Sequence, residues 1–524
     1  MSDQSSLLVE KLWKLKRSVD KGHCHGIDFV HLNALLREPA YRADVLRRVK
    51  DKGTPELQAL AREIMENDNG QSFVARTSHE SPRNTPESRP SSSKARYRLA
   101  LIPILGVAVA AVVGFTAFEN RVVRITQDIV ADTVWETGRR YILDGVIYVD
   151  NAHLTIQPGA IIEGQRGSAL VVTRDSQLLS RGTREQPVVF TSHRAEGTRQ
   201  RGDWGGVVLL GKAPVNQMDA AIEGLPGDEL RGRFGGSDPE HSCGVLQYTR
   251  IEFAGFEVYR NNELNGLTLG GCGSNTLIDH VQVHRALDDG IEIFGGTVNL
   301  QHVLVTGAAD DSIDWDWGWN GKVQFAIIQQ HGDVGDNGFE GDNNGSDHNA
   351  VPRSEPTFYN VTLHGGGRAA KQHRAILLRE GSGGHFHNMI IDSFALEALD
   401  TRDEVRSLVA MDKLSFSHNL LANTGSLAKE PGKQESEDDD YGFREGEWLL
   451  QAGQWNSTLM ESALHSSASH ETAPHFRARG LAGNKPAKRP PQSEFFDESA
   501  EYPGAINPRT SRTWTEEWTA FPEA

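Results

Sequence analysis

Cysteine and basic residues are the two classes that this sequence has little of. Only 3 of its 524 residues are Cys, which excludes a scaffold built on disulfides. Lys and Arg number 54 against 71 Asp and Glu, a formal net charge of −17. Because phosphate binding needs a basic surface, this balance argues against nucleic acid as the main partner. The hydrophobic fraction of 38% is low for one compact core and too high for general disorder.

The charges separate on either side of one uncharged run. Residues 1–98 hold 18 Lys and Arg and 13 Asp and Glu, a net charge of +5, which leaves −22 for the rest. Residues 99–118 are uncharged and would span about 30 Å as a helix, the thickness of a bilayer core. Four basic residues precede the run, at 89, 94, 96 and 98. By the positive-inside rule, the run predicts a transmembrane signal-anchor with residues 1–98 in the cytoplasm.

The first 98 residues predict two kinds of segment. Leu57, Leu60 and Ile64 keep helical spacing after the start signal Thr54-Pro55, so we expect a small cytoplasmic helical segment over 1–69. Its partner cannot be read from the sequence. Residues 70–98 are rich in Ser, Pro and Arg and predict a disordered basic linker.

Beyond the predicted span, short β-branched runs alternate with Gly, Asn and Asp. The segment 279–283 (DHVQV) aligns with 301–305 (QHVLV), an offset of 22 residues, and 288–292 (DDGIE) aligns with 310–314 (DDSID) at the same offset. A repeat of this length with several strands and no helix is typical of one coil of a parallel β-helix. We predict a mainly β, right-handed, single-stranded parallel β-helix over 119–425.

Several longer motifs resemble a family of bacterial right-handed β-helix envelope proteins. The resemblance implies the fold and a location in the cell envelope. Together with the predicted span, it places the chain on the bacterial inner membrane, with a single span and the bulk of the chain periplasmic or extracytoplasmic. It implies no reaction. It leaves 426–492 as an acidic, irregular insert and 493–524 as a C-terminal cap segment. The motifs are LTIQPGAIIEG (154–164), GDWGGVVLLGKAPVN (202–216), GVLQYTRIEFAGFE (244–257), ELNGLTLGGCGSNTLIDHVQVHRALDDGIEIFGG (263–296) and FFDESAEYPGAINP…WTEEWT (495–519).

Aligning three coils predicts a ladder of stacked acidic residues. The apolar neighbours Ile291, Ile313 and Phe339 would point inward, so the acids beside them would point outward. Like charges one coil apart repel, so an uncompensated row is costly. The predicted rows are Glu292, Asp314 and Glu340; Asp288, Asp310 and Asp336; and Asp289, Asp311 and Asn337.

Three interpretations of the ladder stay open. The acids could cap turns through side-chain to backbone hydrogen bonds. They could bind Ca²⁺, with Asp288, Asp289, Glu292, Asp310, Asp314, Asp336 and Glu340 as candidate ligands. They could also catalyse acid–base chemistry on a polysaccharide, as acids on successive strands do in β-helix pectate lyases and polygalacturonases. The catalytic candidates are Asp310, Asp311, Asp314, Glu340 and, as the basic residue of a lyase, Arg379.

Two further patterns complete the prediction. Trp315, Trp317 and Trp319 alternate along one strand and, if exposed, would stack on sugar rings; packing in the core is the alternative. Cys243 and Cys272 lie near one coil length apart, so we expect a disulfide in an oxidising compartment. The sequence thus favours a membrane-anchored β-helix that binds a polysaccharide or an envelope protein, with Ca²⁺ as the expected ion. The alternative is a polysaccharide lyase or glycoside hydrolase.

Overall fold

The computed structural model describes most of the chain from residue 122 onward. The described residues are 122–225, 229–259, 262–367, 370, 373–429 and 440–523, together with 39–67 and positions 11, 12, 14, 15, 19, 24 and 35. Two compact units are present, Met1–Ala110 and Ala111–Ala524. Among the described residues, no helix has both the length and the apolar composition that a membrane crossing requires. The predicted span 99–118 and the linker 70–98 lie outside the described residues.

The first unit contains helices α1 (Pro39–Lys52) and α2 (Pro55–Asn67). The helical spacing seen in the sequence buries Leu57 and Ile64 of α2, which share a small apolar core with Val45 and Val49 of α1. Leu60 is only partly buried and packs against the edge of that core. The amphipathic pattern therefore folds the two helices against each other.

The second unit is mainly β, with short strands throughout. Two short helices, α3 (Val405–Ala410) and α4 (Glu445–Leu449), and four 3₁₀ turns (Leu230–Gly232, Ala452–Gln454, Ser466–Ser469, Ala482–Asn484) interrupt them. The strands are β1 (Val122–Ile125), β2 (Thr133–Trp135), β3 (Arg140–Leu143), β4 (Val146–Val149), β5 (His153–Ile156), β6 (Ile161–Gly164), β7 (Ala169–Val172), β8 (Gln177–Arg181), β9 (Val188–Ser192), β10 (Val207–Leu210), β11 (Gly244–Glu252), β12 (Glu257–Tyr259), β13 (Asn262–Glu263), β14 (Leu267–Gly270), β15 (Leu277–His284), β16 (Ile291–Phe294), β17 (Asn299–Thr306), β18 (Ile313–Asp316), β19 (Lys322–Gln329), β20 (Asn337–Gly341), β21 (Thr357–His364), β22 (Arg374–Leu378), β23 (Gly384–His387), β24 (Ile390–Asp392), β25 (Glu397–Thr401), β26 (Leu414–Ser417), β27 (Leu420–Ala422), β28 (Ser426–Ala428) and β29 (Ser457–Leu459).

Two large parallel sheets organise these strands. The ten-stranded sheet runs in the order β4–β7–β10–β14–β16–β18–β20–β22–β25–β28, so each neighbour comes from the next coil. The other sheet has seventeen strands, and among the described strands the small pair β12–β13 is the one antiparallel pair. Parallel neighbours contributed by successive coils confirm the predicted parallel β-helix.

Stacked apolar side chains fill the inside of the coils. On the ten-stranded sheet the inward row includes Ile291, Ile313 and Phe339, followed by Ile376 and Leu399, all fully buried. The predicted inward direction of the first three is therefore confirmed. Because these residues alternate with their neighbours, the residues beside them lie on the outer face of the sheet.

The longest strands of the seventeen-stranded sheet bend at one residue with a left-handed backbone. In β11, β15, β17 and β19 that residue is Tyr248, His280, His302 and Phe325, each with φ between 46° and 63°. Strand register places each of these residues on the next, and their rings stack 4.3–4.9 Å apart. We call this column and its continuation in later coils the bend row.

Residues 488–523, which we call the C-terminal strap, lie along the outside of this sheet. Side-chain amides of successive coils hold the strap by its main chain, and three of them each bond both the N–H and the C=O of one strap residue. The pairs are Asn388 with Lys488, Gln324 with Asp497 and Gln282 with Ala520, at 2.7–3.2 Å. The described residues of the segment predicted as a cap, 493–523, thus follow the side of the coils.

The predicted disulfide between Cys243 and Cys272 is confirmed, with 5.7 Å between their Cα atoms. It joins the residue before β11 to the turn after β14. Strand β14 is the neighbour of β16, which carries the first residue of the predicted acidic ladder. Residues 430–439 of the predicted acidic insert lie outside the described residues.

Candidate functional site

The outer face of the ten-stranded sheet carries the predicted acidic row. Backbone register pairs Glu292 of β16 with Asp314 of β18, and Asp314 with Glu340 of β20. Two residues further along, Asp316 and Asp342 extend the acidic surface on the second and third of these coils. The sequence repeat, with an offset of 22 residues from Glu292 to Asp314 and of 26 from Asp314 to Glu340, therefore brings at least five carboxyl groups together on or directly after three adjacent strands.

The turn before each strand holds a separate polar row, and that row caps the backbone. The Asp289 side chain accepts a hydrogen bond from the Asp311 N–H at 2.8 Å, and the Asp311 side chain accepts one from the Asn337 N–H at 2.6 Å. Asn265, one coil earlier, accepts in the same way from the Asp289 N–H at 3.2 Å. The side chains of this row therefore cap the backbone of the next turn, as the first of the three interpretations proposes.

Sequence reasoning missed Asn265 as the first member of that row. Its signal was present, because Asn265-Gly266 precedes β14 just as Asp289-Gly290 precedes β16 and Asn337-Gly338 begins β20. The two asparagines also orient the acidic row. Asn337 donates to Glu340 at 2.9 Å, and Asn265 donates to Glu292.

Burial gives these acids unusual protonation behaviour. It raises the pKa of Asp289, Glu292, Asp311 and Asp314 well above the ordinary carboxyl value, and neighbouring carboxylates raise each further. Burial also raises the pKa of Glu340 to about 7. A buried carboxylate without a compensating charge is costly, so the site favours either protons or a bound cation.

A further acid, Asp316, shows the same effect. Burial raises its pKa to about 8, and Asp342 and Glu380 add to the shift. The acidic surface therefore contains carboxyl groups that change charge close to neutral pH.

Arg379 is the basic group placed within this surface. Its Nε lies 2.9 Å from both carboxylate oxygens of Asp342, and its Nη2 contacts Glu340 and lies 2.8 Å from Asp342. Burial alone would lower the pKa of Arg379, but Glu340 and Asp342 raise it well above its usual value. Arg379 therefore stays protonated and neutralises the third coil of the row.

Two equivalent groups of carboxylates are arranged closely enough to hold a metal ion. Asp289, Glu292 and Asp314 each offer an oxygen within 4.8 Å of the others, and so do Asp311, Asp314 and Glu340 one coil later. Asp314 belongs to both groups, and its buried Oδ1 has no hydrogen-bond partner within the described part of the chain. All ligands are oxygens, the set that Ca²⁺, Mg²⁺ and Mn²⁺ prefer.

The remaining predicted acids lie in the turns. Asp288 and Asp310 form a third close group with Asp289, one coil apart. Asp336 lies 3.7 Å from Arg374 and donates its N–H to the Asp310 carbonyl. These acids line the edge of the sheet rather than the row on its face.

The interpretation of the tryptophans as a sugar-stacking row is wrong for Trp315 and Trp319. Both are fully buried, and their indole N–H groups donate to Ser382 Oγ and to the Val298 carbonyl at 3.0 Å. A Cβ at Gly341 would come within 2.2 Å of the Trp315 ring, so this glycine leaves room for the indole inside the coil.

Trp317 lies outside the coil but also packs against protein. Its left-handed backbone (φ 51°) ends the alternation, and its ring lies 4.9 Å from Phe294 and 6.0 Å from Phe234. Phe234 belongs to an apolar cover that includes Ile222 and Leu225 and lies on the earlier strands of this sheet. The acidic surface begins where the apolar cover ends.

The strands after the acidic row are different, because their charges are balanced. Arg374 of β22 lies 3.4 Å from Glu397 and 3.3 Å from Asp400 of β25. Arg402 lies 3.3 Å from the same Asp400 carboxylate. The excess of carboxylate is therefore confined to β16, β18 and β20.

Another group, under the C-terminal strap, also resembles a metal site by composition. Asp279 Oδ1 lies 2.9 Å from Nδ1 of both His280 and His302. The two imidazoles stack 4.3 Å apart at an angle of 23°, and the Asp279 oxygen occupies the position on which both Nδ1 atoms converge. We therefore interpret the group as two imidazoles hydrogen-bonded to one carboxylate.

The family of this chain follows from its match to a known domain. The model of the pectate-lyase-like β-helix domain matches residues 127–457, which cover more than half of the chain. The chain belongs to this family. Membership in the pectate-lyase-like β-helix family supports a carbohydrate-related function. No curated protein and no solved structure matches the chain.

Proposed function

We propose that this β-helix binds an acidic polysaccharide through a divalent cation, with Ca²⁺ as the ion, held on the outer face of β16, β18 and β20. The observation that supports this most directly is the unpartnered Oδ1 of Asp314, placed among carboxylates whose pKa values are raised by burial. A divalent cation would supply the positive charge that these groups lack and would favour their ionised form.

The two carboxylate groups differ in their need for an ion. Asp311, Asp314 and Glu340 are next to Arg379, which contacts Glu340 directly. Asp289, Glu292 and Asp314 have an asparagine amide from Asn265 and, among the described residues, no basic side chain in an ion pair. We therefore place the primary cation at Asp289, Glu292 and Asp314.

A polysaccharide could supply the oxygen ligands that the cation still needs. Ca²⁺ takes six to eight oxygen ligands, roughly twice the number that three carboxylates supply as single donors. Carboxylates of a uronate polymer would fill the open positions, and the row extends over three coils in the direction in which the sheet stacks. The family membership of the chain agrees with a sugar as the ligand.

The alternative function is a polysaccharide lyase or glycoside hydrolase on the same face. Glu340, with a pKa of about 7, and Asp316, with a pKa of about 8, are suited to proton transfer near neutral pH. Two of the predicted catalytic residues are less suited to such a role. Asp311 is engaged in capping the Asn337 backbone, and the raised pKa of Arg379 opposes its use as a base.

Calorimetric titration of the full chain with polygalacturonate tests the primary proposal. We expect binding that is at least about tenfold tighter in Ca²⁺ than in a chelator, and a similar loss of the affinity measured in Ca²⁺ in Asp314→Asn, which keeps the shape and removes the charge. Asp219→Asn, at an exposed acid in another loop, is the matched control and should bind normally. Equal affinity in Ca²⁺ and in chelator would contradict the cation.

The same reaction mixtures test the alternative. Accumulation of unsaturated or reducing sugar ends, abolished in Glu340→Gln, would establish catalysis in place of binding alone. If the polymer stays intact while binding is measured, the enzymatic reading is contradicted for that polymer.

The location that we propose is outside the cytoplasm, with residues 99–118 as a single membrane span. The disulfide between Cys243 and Cys272 supports an oxidising compartment. Protease protection of residues 122–523 in intact membrane vesicles of known orientation would test the topology, and a chain that remains in the supernatant would contradict it.

A further inference from the structure

The bend row continues beyond the C-terminal strap and ends in an exposed tryptophan. In the last coils the row consists of His418 and Trp455, both with a left-handed backbone (φ 59° and 57°). The His418 N–H donates to the Gln454 carbonyl, and Leu420 pairs with Ser457, which places Trp455 directly after His418 in the row. Their rings lie 6.1 Å apart and nearly parallel, at 17°.

The covered part of the row shows what its aromatic members contact. Trp518 of the strap lies edge-on to Tyr248 and His280 at 5.8 and 5.7 Å, and Trp514 lies 5.3 Å from His302. These earlier members are buried or half-buried beneath the strap. The Trp455 side chain is 60% exposed, so this end of the row offers an aromatic surface to a ligand.

The position of Trp455 is fixed by the next residue. The Asn456 side chain donates to the carbonyls of Phe416 and Leu449, both at 2.9 Å, and accepts from the Asn419 N–H at 2.9 Å. Three hydrogen bonds thus hold the backbone beside the exposed ring. A rigid exposed tryptophan loses little conformational entropy when it stacks on a ligand.

A positive charge lies beside this surface. The Lys488 ammonium donates to Nε2 of the buried His387 at 3.1 Å, and within the described residues no carboxylate forms an ion pair with it. Asp412 is the acid whose charge reaches it. Burial lowers the pKa of His418, and the Lys488 charge lowers it further. Two of the three ammonium protons remain available for an anionic ligand.

We propose that Trp455, His418 and Lys488 form a second carbohydrate-binding site, for a uronic-acid residue, that needs no metal ion. The pyranose ring stacks on Trp455, and its carboxylate accepts hydrogen bonds from Lys488. The site lies on the seventeen-stranded sheet, whereas the cation site lies on the ten-stranded sheet. The inference rests on the proposed function only for the class of ligand, an acidic sugar.

Titration of the full chain with a linear tetramer of galacturonic acid in chelator tests this site. We expect wild-type binding that Trp455→Ala weakens about tenfold or more and that Lys488→Met also weakens. Trp455→Asn should behave like Trp455→Ala, because asparagine tolerates the left-handed backbone and separates loss of the ring from local misfolding. Leu481→Ala, at another exposed apolar residue, should leave binding unchanged.

The neutral tetramer cellotetraose, used as a second probe, isolates the charge. Lys488→Met should not change its affinity, which stays well below that of the acidic tetramer. Wild-type binding of the acidic tetramer that vanishes in chelator, or full binding by Trp455→Ala, would overturn the proposal. So would a change in oligomeric state in Trp455→Ala without a change in sugar affinity, because it would assign the surface to a second copy of the chain.

The two proposed sites can be tested independently of each other. Asp314→Asn should remove only the Ca²⁺-dependent part of binding and leave the part measured in chelator. If Asp314→Asn has no effect while Trp455→Ala has the expected one, the proposed function is wrong and the second site stands.

Discussion

The outer faces of the two large sheets carry polar rows built on the same coil repeat but with different chemistry. On the seventeen-stranded sheet the polar residues on and beside the bend row include the neutral amides Gln282, Gln324 and Asn388, and each is paired with the main chain of the strap. On the ten-stranded sheet the row contains carboxyl groups, and Asp314 has an oxygen without a partner in the described residues. The amides find their hydrogen-bond partners within the protein, whereas the carboxylates lack a counter-charge that a proton or a cation would have to supply.

This difference separates a structural row from a binding row. A buried amide that finds both its donor and its acceptor stabilises the fold, while a buried carboxylate without a counter-charge destabilises it. A row that costs stability in the free protein is consistent with a role in holding a ligand. We therefore expect mutations in the two rows to change stability in opposite directions.

The largest effect should follow from breaking the strap at Trp518. This side chain is fully buried against the bend row, and its indole N–H donates to the Trp514 carbonyl at 2.7 Å. Trp518→Ala should lower the free energy of unfolding by about 3–5 kcal/mol and expose the strap to limited proteolysis. Trp455→Ala, in the uncovered end of the same row, is the control and should change stability by less than about 1 kcal/mol. Equal losses in both would show that the strap contributes nothing through this residue.

A matched pair of substitutions compares the two rows directly. Gln324→Leu removes the hydrogen bonds of its amide to Asn360 Oδ1 and to the Asp497 main chain and should destabilise the protein by about 1–3 kcal/mol. Asp314→Asn removes one buried charge and should stabilise the chelator-treated protein above pH 8, by about 1 kcal/mol. Chemical unfolding measures both, and a loss of stability in Asp314→Asn would contradict the contrast between the rows.

The stability of the protein should also depend on pH through the buried carboxyl groups of the ten-stranded sheet. Burial raises the pKa of Glu340 to about 7 and of Asp316 to about 8, whereas in the unfolded chain both stay near 4. The folded protein therefore holds these protons more tightly, so the stability that these two groups contribute should fall as the pH rises from about 4 to about 8 and then level off. Melting temperatures in chelator, compared between the wild type and the double variant Asp316→Asn/Glu340→Gln, would show this fall, and Ca²⁺ should reduce it. A difference between the two proteins that does not change with pH over this range would contradict the expectation.

The smallest effect should come from Arg379, which lies next to one of the two carboxylate groups and forms no ion pair with the other among the described residues. Arg379→Gln removes the counter-charge next to Glu340 and should strengthen cation binding roughly fivefold, an effect of about 1 kcal/mol. Arg379→Lys keeps the charge and serves as the control. Calorimetric titration with Ca²⁺ measures the change, and weaker binding in Arg379→Gln would show that the guanidinium supports the ion site.

Repetition made the acidic row predictable from the sequence. The 22-residue offset that aligns Ile291 with Ile313 also aligns Glu292 with Asp314, because coil register and strand alternation are local properties. The tryptophans were misassigned because the space for the Trp315 indole is created by Gly341, one coil away. The strap could not be predicted, since Gln282 and Ala520 are 238 residues apart and an amide carries no signal of its partner.

X-ray diffraction from crystals grown with Mn²⁺, an ion with the same preference for oxygen ligands, would test the central claim most directly. We predict an anomalous peak between the carboxylates of Asp289, Glu292 and Asp314, and its absence in Asp314→Asn. Crystals that contain Mn²⁺ elsewhere but show no peak at these three residues would contradict the cation site.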